Sequence, residues 1–289
     1  MSVKIICCHK IFLECAGLMS LKLEIPVEVD VNPQRGDLYI VFGAHVIAPK
    51  LWQAQKAMNN EFGYIIMNSE QIGSDTLRNK YYLMLCQENP TFNYSQHLAQ
   101  EMFDQFNIKE YSFFFFDFLS SPQIESEYDI VFVGTRNAGR EAFERLLREV
   151  CPTARIHFEY DSINAELTHL TDLYTKSKIV LNLPFYEGGC LETHRINKAI
   201  ACGAHVVSCL SGDQYANNFY TDYVHFCDGE ANMIDCLKEQ WQTLERKKTW
   251  LDFMKTLSVS LYSHNKAVID EVHGKLLTKL GLAAPLPKA

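Results

Sequence analysis

The sequence predicts an α/β protein of two units in series, each built on a parallel sheet, with a helical C-terminus. Three observations carry this. Short unbroken apolar runs, such as Asp37–Phe42 (DLYIVF) and Ile179–Leu183, alternate with longer segments of helical spacing. The runs show no in–out alternation, as expected of parallel strands covered on both faces. The pattern also restarts mid-chain, after the polar stretch Leu119–Glu127 (LSSPQIESE). The expected units are 1–120 and 121–260, with 261–289 as a helix able to pack back on the first. Two such units leave a cleft between the carboxyl ends of their sheets, where open α/β sheets bind ligands.

In the first unit, Val3–Cys8 is a strand and the next residues, through Met19, a helix. Leu23–Val29 is a second strand candidate. Asp37–Phe42 follows and ends at Gly43-Ala44-His45. Pro49 suits the first turn of a helix that runs to about Met58. Tyr64–Met67 ends at Asn68-Ser69-Glu70-Gln71. A helix from about Asp75 to Gln87, a short strand Phe92–Tyr94, a helix Gln96–Phe106 capped by Ser95, and a strand Ser112–Phe116 complete the unit.

The second unit opens with a strand at Asp129–Val133, then Gly134-Thr135-Arg136-Asn137 and a helix to Val150, which Pro152 ends. Ala154–Phe158 is a strand and Ile163–Lys176 helical. Ile179–Leu183 is a buried strand, Pro184–Gly189 a loop, and Leu191–Cys202 a helix whose apolar positions share one face, with Gly203 at its C-cap. Ala204–Ser208 is a strand, Asp213–Tyr220 a helix, and Tyr223–Phe226 a strand. Helical sequence then extends from Gly229 to about Leu280, and the tail AAPLPKA is frayed.

The totals narrow the function classes. The chain has 289 residues and a net charge of −8, which disfavours a general nucleic-acid binder. No apolar run is long enough to span a membrane, and His9, Lys10 and Glu14 interrupt the apolar start, so neither a transmembrane segment nor a signal peptide is expected. The ten cysteines are scattered and include no Cys-x-x-Cys. Free thiols in apolar contexts suit a reducing cytoplasm.

Two clusters could carry chemistry. Gly134, Thr135, Arg136 and Arg140 surround a strand end and a helix start, where backbone N–H groups and guanidiniums attract an anion such as a diphosphate. Lys178, Asn182, Glu187, Glu192 and Arg195 lie on or beside the next strand. A carboxylate there can accept sugar or ribose hydroxyls, and the cations can hold phosphate. Alone, Glu192 and Arg195 read as an ordinary helix pair; together with the glycine loop they read as a site. In the first unit His45 and Glu70 end strands: His45 is a candidate general base on an acceptor hydroxyl, and Glu70 an alternative base or acceptor ligand. No His or Cys spacing suggests a metal site.

Three stretches also carry a family resemblance: Val133-Gly134-Thr135-Arg136, Ser177–Asn182, and Glu192-Thr193-His194-Arg195-Ile196 through Ala199-Ile200-Ala201-Cys202-Gly203, followed by Val206-Val207-Ser208. The second unit, about Asp129–Phe226, resembles the nucleotide-sugar-binding lobe of GT-B glycosyltransferases, closest to family-1-like and spore-coat-type members. IVFGAH and IIMNSEQI in the first unit resemble the acceptor lobe. The resemblance implies two Rossmann-like lobes facing across a cleft, a nucleotide-diphosphate sugar as substrate, and no cofactor. It implies a glycan or lipid-linked acceptor, with DNA a lesser alternative. GT-B enzymes need no metal-binding Asp-x-Asp, and this chain has none. One departure stands out. Retaining members carry a pair of glutamates about the helix Leu191–Cys202, and here those positions are Cys190 and Lys198. That keeps open an alternative, a non-catalytic nucleotide-sugar-binding protein of the same fold.

Overall fold

The apolar runs form the strands of two all-parallel sheets in a computed structural model, which describes residues 1–29, 32–70, 74–108, 110–113, 125–161, 167–186, 189–244 and 250–282. The first sheet contains β1 (Val3–Cys7), β2 (Val27–Glu28), β3 (Leu38–Phe42), β4 (Gly63–Asn68), β5 (Thr91–Asn93) and β6 (Glu110–Phe113), in the spatial order β2-β1-β3-β4-β5-β6. The second contains β7 (Tyr128–Gly134), β8 (Ile156–Tyr160), β9 (Ser177–Asn182), β10 (His205–Cys209) and β11 (Val224–Cys227), in the order β8-β7-β9-β10-β11. Each chain segment lays down a strand, steps once to one side, then returns past the first strand and continues on the other side. The reversal lies between β1 and β3 in one sheet and between β7 and β9 in the other. Loops leaving the carboxyl ends of those pairs diverge and leave room for a ligand.

Helices α1 (Leu13–Leu23), α2 (Ala48–Ala57), α3 (Lys80–Glu88) and α4 (Gln96–Phe106) connect the first sheet. Helices α5 (Ala138–Val150), α6 (Leu167–Thr175), α7 (Thr193–Ala201), α8 (Gln214–Tyr220) and α9 (Gly229–Gln240) connect the second, and α10 (Trp250–Lys279) ends the described chain. Contacts divide the protein into two compact units, Met1–Phe114 with Val259–Ala289, and Phe115–Ser258. The last turns of α10 dock within the first unit: His273 Nε2 lies 3.1 Å from the Gly36 carbonyl, and Arg35 donates to the Leu280 carbonyl at 3.1 Å.

Local chemistry explains the elements. Leu38, Tyr39, Ile40, Val41 and Phe42 are all buried, so β3 is a central strand with both faces covered. Ser95 Oγ accepts from the Leu98 N–H and Asn137 Oδ1 from the Arg140 N–H, which caps α4 and α5. α5 is amphipathic and buries Arg140, Phe143 and Leu147 on one face.

Several boundaries differ from the sequence expectation. α1 continues to Leu23, and β2 is only Val27–Glu28, because Pro26 begins the extended segment. The expected helix at Asp75–Gln87 splits into a 3-10 turn, Asp75–Arg78, and α3. Asn79 is extended between them, and its side chain accepts from the N–H groups of Tyr81 and Tyr82. β8 begins at Ile156 rather than Ala154, and α7 at Thr193 rather than Leu191. Helical sequence after Gly229 is two helices, with residues 245–249 between them outside the described set. Most of Leu119–Glu127 and the C-terminal tail also lie outside it.

A buried carboxylate pins the amino end of the first sheet. The Asp37 side chain is 2% exposed and lies 3.2 Å from Lys4 Nζ, which also pairs with Glu28 at 3.0 Å. The Ser2 and Gln34 N–H groups donate to Asp37 at 3.0 and 3.1 Å. Burial works to raise the Asp37 pKa, yet these donors hold it below its ordinary value. Its contribution to stability is therefore complete above the ordinary carboxylate range and is lost as pH falls through the depressed folded value. Asp37→Asn leaves the Lys4 ammonium without its buried partner, and a loss of about 2–4 kcal/mol is expected in urea unfolding at pH 7. The gap between variant and wild type should close as the pH falls through the depressed folded value of Asp37.

Candidate functional site

The carboxyl ends of β7 and β9 meet around the ring of Phe132. Arg140, from the first turn of α5, stacks its guanidinium 4.9 Å from the Phe132 ring centroid and 5.2 Å from that of Phe185. Arg195, from the first turn of α7, lies 5.2 Å from the Phe132 centroid. Glu192, the residue before α7, joins them. Its Oε1 is 3.1 Å from Arg140 and its Oε2 2.6 Å from Arg195. Arg140 also donates to the carbonyls of Thr135 at 2.8 Å and Leu183 at 2.6 Å, and Arg195 to Asn182 Oδ1 at 2.9 Å. Asn182 in turn donates to Ser208 Oγ at 2.9 Å, which ties in the end of β10.

This arginine–glutamate–arginine triad carries one net positive charge in a poorly solvated place. The side chains are 2%, 9% and 9% exposed for Arg140, Glu192 and Arg195. Burial and the neighbouring Arg195 push the Arg140 pKa down to about 10, against the opposing pull of Glu192. Arg140 Nε is buried with no hydrogen-bond partner among the described residues. A buried, unspent N–H beside a net positive charge favours an anion. Gly134 makes the packing possible: a Cβ there would lie 2.7 Å from Phe132, 3.1 Å from Arg140 and 3.2 Å from Arg195.

Arg136 stands at the same strand end but is 56% exposed, paired with Glu141 at 2.7 Å and Asp161 at 3.6 Å, and set over the Tyr160 ring. Thr135 is exposed and contributes its carbonyl to Arg140. Glu187 lies outside the described residues. Lys178 is not part of the cluster. It opens β9 beside the first residues of β7, at the amino end of the sheet, and its Nζ donates to the carbonyls of Trp241 and Gln242 at 3.1 and 2.8 Å. Membership of one short strand concealed this, since a strand's two ends lie on opposite edges of the sheet.

The first unit assembles a different set at its own reversal point. His45 Nδ1 is 3.6 Å from Glu70 Oε1, and the His45 ring meets Phe12 and Tyr82 edge-on at 6.5 and 6.0 Å. Gly43 has φ 70°, and a Cβ there would come within 3.1 Å of His9 and 3.2 Å of Phe12. Burial lowers the His45 pKa; Glu70 opposes that and His9 adds to it. Glu70 accepts from Ser74 Oγ at 2.8 Å, and its N–H donates to Asn68 Oδ1 at 3.1 Å. Beneath it, the Tyr82 hydroxyl donates to Asn68 at 2.6 Å, and Asn68 donates to Asn93 at 2.7 Å.

His45 and Glu70 are therefore neighbours, as are Gly134, Arg140, Asn182, Glu192 and Arg195. Sequence reasoning missed Phe132, Ser208, His9, Phe12 and the Asn68–Asn93–Tyr82 network. Asn68 and Asn93 each end a strand, and a polar amide in that place was the available signal.

Comparison with solved structures decides the fold. The chain superposes on the α,α-trehalose 6-phosphate synthase of Burkholderia multivorans with TM-score 0.55 and 12% identity, over 89% of this chain and 74% of that one. The TarM structure gives 0.52 and 11%, over 81% of this chain and 53% of that one, so the chain spans about half the length of TarM. The DNA-modifying β-glucosyltransferase, solved with and without its substrate uridine diphosphoglucose, gives 0.50 and 12%, over 98% and 100%. The protein has the GT-B glycosyltransferase fold. No family model matches the sequence, and no curated protein matches it. A GT-B chain of this kind has two Rossmann-like units, and both switch points here carry polar clusters.

The triad makes a direct prediction. Glu192→Gln leaves two buried guanidiniums with no carboxylate between them. Urea unfolding should show a loss of about 3–5 kcal/mol. The double variant Glu192→Gln with Arg140→Met should recover part of it.

Proposed function

We propose that the protein is a glycosyltransferase that moves a sugar from a nucleotide-diphosphate donor to an acceptor hydroxyl. The observation that carries this is the buried Arg140–Glu192–Arg195 cluster at the switch point of a GT-B unit. In such a reaction an acceptor oxygen forms a bond to the sugar's anomeric carbon while the bond to the diphosphate breaks. Negative charge grows on the leaving diphosphate. Arg195, the unspent Arg140 Nε and the N-terminal end of α7 are preorganised cationic partners for that charge. They support a metal-independent reaction. The exposed Arg136 and Thr135 are further candidate contacts for the nucleotide. Glu192 is assigned to donor hydroxyls through the oxygen lone pairs its arginines leave open.

In the first unit, His45 is assigned as the base that accepts the acceptor proton, with Glu70 positioning the imidazole. Its low pKa keeps it neutral and able to take a proton near pH 7. A glycan or lipid-linked sugar is the favoured acceptor class. The full-length likeness to a DNA-modifying enzyme brings DNA forward, while the net charge of −8 weighs against it. Free thiols support a cytoplasmic setting.

One observation favours a second reading. Lys198, where retaining relatives carry a glutamate, is 5% exposed on α7. A protein that kept the nucleotide unit but lost transfer would fit it.

The test is a thermal-shift and hydrolysis panel of UDP-, GDP-, ADP- and CMP-sugars, beginning with UDP-glucose. Stabilisation with slow release of free nucleotide is expected, and Arg195→Lys should weaken donor affinity roughly tenfold or more, since a point charge cannot reproduce the planar fork. Binding without turnover across acceptors selects the second reading. No stabilisation by any nucleotide sugar overturns both.

A pH profile tests the base. The acidic limb of kcat/KM should fall below about 6.5, the ordinary imidazole value. Glu70→Gln removes the carboxylate that raises the His45 pKa and should move that limb lower still. His45→Asn should abolish it.

A further inference from the structure

The second unit contains a cluster that the sugar-transfer reading does not use. His225 and Cys227 end β11, two positions apart and therefore on one face of the sheet. α9 covers that face and turns Cys236 toward them. The His225, Cys227 and Cys236 ligand atoms all lie within 4.8 Å of one another. Cys236 Sγ is 3.2 Å from His225 Nε2. Cys209, the register partner of Cys227 on β10, adds a third sulfur to the same packed face.

We propose that His225, Cys227 and Cys236 bind a thiophilic divalent cation, zinc by preference, which clamps edge strand β11 to α9. Two thiolates and an imidazole are a soft-to-borderline donor set, suited to zinc and poorly suited to magnesium or calcium. Tetrahedral zinc with bonds of about 2.0–2.3 Å holds its ligands about 3.4–3.8 Å apart, so the His225–Cys236 pair at 3.2 Å would open slightly while the three ligand atoms, all within 4.8 Å, draw round the ion. His225 and Cys236 are half-buried while Cys227 is buried, so a cation can enter from the sheet edge and keep a water as its fourth ligand. Binding releases a proton from each thiol. The thiols are reluctant acids: burial pushes the Cys227 pKa up to about 12. Metal affinity should accordingly rise with pH.

The site has a structural use. β11 is an edge strand, and edges are where parallel sheets fray. The sequence showed no metal spacing, because the two β11 residues are separated by one position and the third ligand comes from the following helix.

Reduced full-length protein would be titrated with cobalt(II) and followed by absorbance, with zinc as competitor. One equivalent should produce a thiolate-to-cobalt charge-transfer band that zinc removes. His225→Gln and Cys236→Ser, both at half-buried positions, should each weaken cobalt binding at least tenfold. Cys151→Ser, elsewhere in the same unit, should leave it unchanged. An experiment on the unmodified chain runs beside these: zinc should slow alkylation of Cys227 and Cys236, as read by peptide mass, while leaving the alkylation rate of Cys8 unchanged. No band, a band indifferent to both variants, or a Cys227–Cys236 disulfide formed in preference to metal binding overturns the proposal. None of these outcomes depends on sugar transfer.

Discussion

The second unit depends on one buried ionic arrangement, two guanidiniums held apart by one carboxylate over a phenylalanine ring. Isolated buried charge is costly, and an ion pair in a low dielectric rarely repays its own desolvation. Here the cost is spread. Each Glu192 oxygen takes one arginine, Arg140 adds two backbone carbonyls, Arg195 adds Asn182, and Phe132 offers its ring to both. The members come from β7, the end of β9 and the starts of α5 and α7, so the cluster locks these four elements together. The same lock aims a net positive charge at the place where the sheet's connections diverge. Stability and, under the proposed function, affinity for a diphosphate are two consequences of one arrangement.

That arrangement also explains why Gly134 and Phe132 belong to the site without any reactive group. Two cations brought this near repel, and the ring's negative face partly offsets the repulsion. The backbone of Gly134 must pass close to the ring and both guanidiniums, with no space for a Cβ. The glycine at this strand end is thus required by cationic packing as much as by any approach of a phosphate.

Much of the architecture was legible in the residues. Unbroken runs such as DLYIVF marked parallel strands, and the restart after the polar middle segment marked a second sheet. Boundaries were less legible where a side chain competes for the backbone, as Asn79 does between the 3-10 turn and α3. The arginines, Glu192 and Asn182 were readable because they sit at strand ends or first helical turns. Their burial was not, because it depends on long side chains folding back over Phe132, which linear spacing does not encode. Lys178 was misplaced for the opposite reason: it shares a strand with Asn182, and a six-residue strand carries its ends to opposite edges of the sheet.

The two switch points have the same topology and opposite electrostatics. The second concentrates permanent cations whose charge does not vary near neutral pH. The first collects groups that are neutral or hydrogen-bonded: an imidazole whose pKa burial lowers, a Glu70 carboxylate that accepts from Ser74 while its backbone N–H donates to Asn68, and a tyrosine–asparagine network beneath. A leaving diphosphate needs fixed positive charge, and an acceptor hydroxyl needs a base that is empty of its proton. A cation at the first switch point would depress His45 further and hold Glu70 away from it. The described contacts of His45 and Glu70 include no lysine or arginine, which is compatible with the proton-accepting role proposed for His45.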